Sequence, residues 1–252
     1  MKSHLLGINF IYENKLEWHA RISEILRSDH FTQLNTINLE IFSFAVQDLE
    51  YRRILQKSEL NVVDGYPIEF FILLKRRVWL KRICGSDLIY DLLEICERDK
   101  KCILLLGSTE HANKLAVENV KKQYPEINVI GYSPPFPAAE SIYDDENLKT
   151  LIEQNKPSAI AVCLGPPRQE VWIVKNREFL TSNGVRLAIG LGGTVNFLSG
   201  HVKRAPCIFR TLRLEWLWRC LCEPKRIGRY IKSAWIVVKY VFTKGIENHG
   251  EV

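Results

Sequence analysis

The chain has 252 residues, of which 46% are apolar and 25% charged. That length suits one α/β domain with at most a small appendage, and the balance excludes disordered, collagen-like and repeat architectures. The net charge of +6 is uneven: between His201 and Lys244 eleven lysines and arginines face only Glu215 and Glu223, a local +9, so the rest of the chain sums to −3. A basic segment of this kind seeks phosphate, whether of lipid or of nucleic acid.

The opening segment, MKSHLLGINFIYENKLEW, has an apolar run interrupted by Asn9, Glu13 and Asn14, unlike a secretory leader. No stretch reaches the roughly 20 apolar residues of a spanning helix. The nearest, 234–242, contains Lys239. These features predict a protein on the cytosolic side. The seven cysteines (84, 96, 102, 163, 207, 220 and 222) are odd in number and form no CxxC pair, which predicts reduced, mostly buried thiols and no structural metal.

In chain order, apolar runs predict strands over 31–36, 60–63, 102–106, 128–130, 159–164 and 186–189. Helical spacing between them predicts helices that include 88–96, 112–124 and 170–180. Alternation of this kind implies a Rossmann-like, doubly wound and mostly parallel sheet over 1–200. After about Gly200 strand signals stop. Two amphipathic helices, 207–222 and 224–244, are expected there, split at Glu223-Pro224 because proline is tolerated in a first helical turn. Residues 201–252 thus read as a basic, membrane-associating appendage.

Five strand ends carry small or polar residues, and in an open α/β sheet such ends share one crevice. Thr36 and Asn38 would orient a sugar hydroxyl or phosphate there, or cap the next helix. Asp64, before Gly65, is placed for general-base work, or is a turn aspartate bonding its own backbone. Gly107-Ser108-Thr109 offers an anion the start of a helix, or is an ordinary capped turn. It matches neither dinucleotide-binding nor P-loop motifs. Gly165-Pro166-Pro167 stiffens a loop that leads to Gln169, suited to recognising a base or sugar, and to Glu170, which is also a favourable first-turn charge. Gly190-Leu191-Gly192-Gly193-Thr194 exposes backbone amides suited to a diphosphate or ribose. In the tail, Arg204, Arg219, Arg226 and Arg229 alternate with Trp216, Trp218, Tyr230 and Trp235. Arginine takes phosphate bidentately and these aromatics favour a membrane interface, so lipid contact is preferred over a merely solvated face.

Taken in this order, the motifs resemble the WecG/TagA/CpsF glycosyltransferase family. The resemblance runs from about Gly7 to Tyr230 through Thr36-Ile37-Asn38-Leu39-Glu40, Asp64-Gly65, Gly85-Ser86-Asp87-Leu88, Gly107 and Gly165–Glu170. It is densest in GLGGTVNFLSGHVKRAPCIFRTLRLEWLWRCLCEPKRIGR, residues 190–229. The resemblance implies an inverting, metal-independent and cofactor-free transfer from a UDP-sugar to an undecaprenyl-diphosphate-linked sugar. It belongs to bacterial surface polysaccharide synthesis, at the cytoplasmic face of the inner membrane. By the same resemblance Asp64 is the base and Thr36 and Asn38 position substrate. Gln169 and the Gly192-Gly193 loop hold the nucleotide-sugar, with Gly107, Ser108, Glu170 and Asn196 as further substrate contacts. The tail arginines neutralise the lipid diphosphate.

The chain departs from the family pattern at Tyr66-Pro67, after Asp64-Gly65, and at Asn196, where many members carry aspartate. These positions, with Tyr132–Phe136, lie in expected substrate loops. The resemblance implies N-acetylmannosamine as the first donor sugar, and these departures make a hexose such as that of UDP-glucose the alternative. A non-catalytic membrane-docking protein and a nucleic-acid-binding module are the competing classes. The polar crevice argues against the second, so the expected partners are donor, acceptor and membrane surface, without nucleic acid and with self-association left open.

Overall fold

The computed structural model describes residues 2–80, 82–135, 140–203, 205–211, 214–224 and 226–243. Arg204 and Phe136, singled out above, lie outside the described residues. The chain opens with β1 (Lys2–Leu5), β2 (Ile8–Ile11) and α1 (Lys15–Arg27). There follow β3 (Thr32–Ile37), α2 (Leu39–Gln47), α3 (Leu49–Lys57), β4 (Leu60–Val63), α4 (Tyr66–Arg76) and α5 (Gly85–Arg98). The middle holds β5 (Cys102–Gly107), α6 (Glu110–Gln123), β6 (Asn128–Tyr132), a 3-10 turn at Glu140–Asp144 and α7 (Glu146–Asn155). Next come β7 (Ala159–Cys163), α8 (Arg168–Lys175), α9 (Arg177–Ser182), β8 (Leu187–Gly190) and α10 (Thr194–Leu198). Last are α11 (Cys207–Thr211), α12 (Glu215–Cys222) and α13 (Arg226–Thr243).

β1 and β2 form an antiparallel hairpin, and the other six strands form one parallel sheet in the order β4-β3-β8-β7-β5-β6. All six expected strands are present: β4 has the expected ends, and the others differ by one or two residues. Their continuous apolar runs follow from burial on both faces. In β5, Ile103 and Leu105 join the helices α1, α5, α6 and α10 on one face, whereas Leu104 and Leu106 join α7 and α8 on the other. β3 and β4 break this rule with polar side chains inside the sheet. Asn35 Nδ2 donates to Asn61 Oδ1 at 2.9 Å and to Ser58 Oγ at 2.8 Å, and Gln33 Nε2 donates to Asn35 Oδ1 at 3.1 Å, so the buried amides satisfy one another.

The winding places the crevice. β3 and β8 are neighbours, yet the chain leaves β3 into α2 on one face and leaves β8 into α10 on the other. Between two such strands the C-terminal edge opens.

Of the described residues after Gly200, those of α13 pack against the core. α13 lies along α2, with Val237 fully buried among Ile41, Phe42 and Ile72, and Ser43 Oγ donates to Ser233 Oγ at 3.0 Å. The single helix expected over 207–222 is instead α11 and α12, and Leu214 N donates to Phe209 O at 2.8 Å between them. Among the described residues no helix is long and apolar enough to cross a membrane. Cysteines 84, 96, 102, 163 and 220 are buried free thiols, and Cys222 is exposed and free.

Candidate active site

The cleft is built from strand ends. Asp64 follows β4, and its backbone N–H donates to Ile37 O at 2.9 Å, continuing the sheet beyond the last pair. Its carboxylate accepts the N–H of Gly85, the first residue of α5, which presents a positive helix end. A Cβ on Gly85 would stand 3.3 Å from both Thr36 Oγ1 and Leu191 Cδ2, so a side chain there would press on both neighbours. Thr36 Oγ1 donates to Gly190 O at 2.8 Å, which ties β3 to β8 at the crevice.

Burial pushes the Asp64 carboxyl up to about 6. The Arg219 guanidinium opposes this, Glu215 adds to it, and Arg82 and the Gly85 N–H oppose it again. A carboxylate that titrates near neutrality can both hold and release a proton at working pH.

Helices α12 and α13 roof the cleft. The Arg219 guanidinium lies 4.5 Å from the Phe197 ring centroid, and burial and then the nearby Arg226 depress its pKa. Arg226 pairs with Glu223, and its Nη2 is 3.4 Å from the place a Cβ on Gly193 would occupy. Arg229 Nη1 is 3.4 Å from Glu40 Oε1. Arg82, before α5, pairs with Glu215 of α12, and Cys84 Sγ donates to Glu215 Oε2 at 3.1 Å. Floor and roof are therefore joined by charge. Trp216 and Tyr230 stack at 4.8 Å between ring centroids and line the same space. Arg82, Arg219, Arg226 and Arg229 line the cleft together with Asp64, Glu40 and Glu215, and guanidinium groups gathered in this way suit an anion with several oxygens.

Of the residues expected from sequence, Thr36, Asn38, Asp64, Gln169, Gly192, Gly193, Arg219, Arg226 and Arg229 line this one cleft. Asn38 also caps α2, its Oδ1 accepting from Ile41 N at 3.1 Å. Gln169 is almost wholly buried: its Oε1 accepts from Gly192 N at 2.9 Å and its Nε2 donates to Glu170 Oε1 at 2.7 Å. Gly190 is required beneath it, since a Cβ there would meet Gln169 Nε2 at 2.8 Å. Glu170 is no solvated first-turn charge. It is fully buried, which pushes its carboxyl up, against the hydrogen bond it accepts from Gln169 Nε2.

Glu170, Gly107, Ser108 and Asn196 do not line the cleft. Ser108 Oγ donates to Asn196 Oδ1 at 2.6 Å, joining the end of β5 to α10, while Thr109 caps α6. Arg82, Cys84, Gly85 and Glu215 line the cleft as well. Sequence reasoning gave none of them a role there, and Arg82 sits between α4 and α5, where no periodicity marks it. Among the described residues, the His/Cys/Asp/Glu group with ligand atoms close enough to share a cation is His19, Asp91 and Glu94, on α1 and α5 outside the cleft.

A family model described as "Glycosyl transferase WecG/TagA/CpsF family" matches residues 3–250. The chain belongs to this family. A relative from Bacillus spizizenii is 32% identical over 206 residues, covering 82% of this chain and 76% of the relative. Relatives from Bacillus subtilis (31%, covering 83% and 77%) and Staphylococcus aureus (29%, covering 90% and 87%) are similar. All three carry the name N-acetylglucosaminyldiphosphoundecaprenol N-acetyl-beta-D-mannosaminyltransferase. Asp64, Gly85 and, from the Gly190–Arg229 run, Gly192, Gly193, Arg219, Arg226 and Arg229 line this cleft.

Proposed function

We propose that this protein transfers a sugar, N-acetylmannosamine by analogy with its relatives' names, from a UDP-sugar to a lipid-diphosphate-linked sugar. One observation carries the reading: Asp64, a half-buried carboxylate pushed up to about 6, stands at the end of β4 in a cleft roofed by arginines. Asp64 takes the proton of the acceptor hydroxyl. The freed oxygen pair attacks the anomeric carbon of the donor, and the carbon–oxygen bond to UDP breaks on the opposite face, with inversion. Arg219 and Arg226 receive the negative charge of the diphosphate, a role that needs no metal. Thr36, Asn38 and the Gly192-Gly193 loop position the donor, and Gln169 and Glu170 hold that loop from below. Ser108 and Asn196, bonded to each other outside the cleft, support α10 behind the donor loop, and a hexose donor is the alternative. Arg204 and Arg229, with the exposed apolar face of α13, meet the lipid diphosphate and the membrane. Ile231 and Trp235 on that face are more than half exposed.

The test is a donor screen on the purified chain. UDP-sugars are offered with a lipid-diphosphate-linked N-acetylglucosamine, with and without a chelator. Transfer from UDP-N-acetylmannosamine that survives chelation is expected. Transfer from no UDP-sugar would reject the reading, and transfer only from UDP-glucose would move it to the alternative.

A further inference from the structure

α4 begins at the cleft and departs from it with an unusual face. Tyr66, Phe70 and Leu74 recur every four residues, one above another on the helix surface, and are 37%, 41% and 56% exposed. The opposite face is ordinary core: Ile68 and Ile72 are fully buried. The Tyr66 and Phe70 rings stack at 6.0 Å. By helical rise, Tyr66 to Leu74 spans about 12 Å. Tyr66 itself lines the cleft, two residues after Asp64. The stripe ends at Lys75, Arg76 and Arg77, and Trp79, 44% exposed, follows. A contiguous exposed apolar stripe that starts in a polar cleft marks a contact surface.

We propose that this stripe is the track along which the polyprenyl chain of the acceptor leaves the cleft. The inference rests on the lipid-linked acceptor proposed above. An acceptor hydroxyl at Asp64 and a diphosphate under the arginines leave the attached hydrocarbon at the cleft mouth, where Tyr66 begins an apolar path. The basic residues at its far end match anionic headgroups, and tryptophan favours that interface. A second copy of this chain is a poorer occupant. Three partly exposed side chains offer on the order of 100 Å² each, against roughly 800 Å² per partner in a standard interface.

The experiment compares the full-length protein with F70Q/L74Q on two acceptors that share N-acetylglucosaminyl diphosphate but carry undecaprenyl or a short alkyl chain, in the absence of vesicles. Direct binding of undecaprenyl phosphate is measured beside it. The variant is expected to raise KM for the undecaprenyl acceptor about tenfold, with kcat, donor KM and the short-chain acceptor unchanged. Phe70→Leu, which keeps the path apolar, should behave as the parent. If F70Q/L74Q does not fold, Leu74→Gln alone, at the most exposed position, carries the test. Equal effects on both acceptors, or none, would overturn the proposal, as would a change only in vesicle binding or in oligomeric mass. Should the parent transfer sugar to neither acceptor, the functional reading fails separately. Undecaprenyl phosphate binding then decides the track: a loss of about tenfold upholds it, and unchanged binding removes it.

Discussion

Asp64 combines two properties that ordinarily oppose each other, partial burial and a charge needed for work. Its carboxyl titrates near 6 when folded and at the ordinary 3.8 when unfolded. The folded state therefore binds the extra proton between those values, and stability falls as pH rises through about 4 to 6, with the full cost present above 6. Asp64→Asn should remove that cost. At pH 7 the variant is expected to melt higher than the parent, and at pH 3.5 the gain should vanish, as read by thermal unfolding. Its transfer rate should drop by about 10³-fold, while the parent's kcat/KM loses activity below about pH 6. A variant that keeps full activity would refute the base assignment.

At the scale of elements, the Gln169 side chain links α8 to the glycine loop after β8. Gln169→Ala would leave the buried Glu170 Oε1 without its donor and release the half-buried Gly192 N–H at the cleft, at a cost of about 1–3 kcal/mol. Chemical denaturation measures this directly, and a loss below 0.5 kcal/mol, about half of one ordinary hydrogen bond, would contradict it. α13 depends on Val237 in the same way. Val237→Ala should cost about 2 kcal/mol and loosen the roof, so donor binding should weaken along with stability.

These elements were unequally legible in the sequence. The six parallel strands stood out because strands covered on both faces need unbroken apolar runs. β1 and β2 did not, since each is four residues long and partly polar. The helix expected over 170–180 is two, because Asn176 Nδ2 donates to Trp172 O at 3.0 Å and the backbone turns there. Such side-chain competition leaves no periodic trace. At the site, Asp64 and Thr36 were visible as strand-end polar residues. Arg82 and Glu215 were not, for their meeting spans 133 positions of sequence and depends wholly on how α12 folds back.

For the whole molecule, charge and apolar exposure meet on the tail. α13 shows Ile227, Ile231, Trp235 and Val238 to solvent beside Arg229, Lys232 and Lys239. Binding to vesicles that contain anionic lipid should exceed binding to neutral ones and weaken between 0.05 and 0.5 M salt, over which the screening length falls from roughly 14 to 4 Å. Replacing Ile231 and Trp235 by glutamate should abolish the association while leaving the melting temperature within a few degrees. Sedimentation with vesicles is the measurement, and unaltered pelleting would count against the tail as the contact.

The reversal of winding between β3 and β8 has a consequence for how this molecule tolerates change. The opening at their ends exists because two helices part to opposite faces, and no core side chain has to be left out to make it. The frame is thus indifferent to what its loops carry. Positions such as Tyr66 and Pro67, on the cleft beyond the end of β4, can change in chemistry without weakening the sheet beneath, so a descendant of this chain could exchange one sugar for another and still fold.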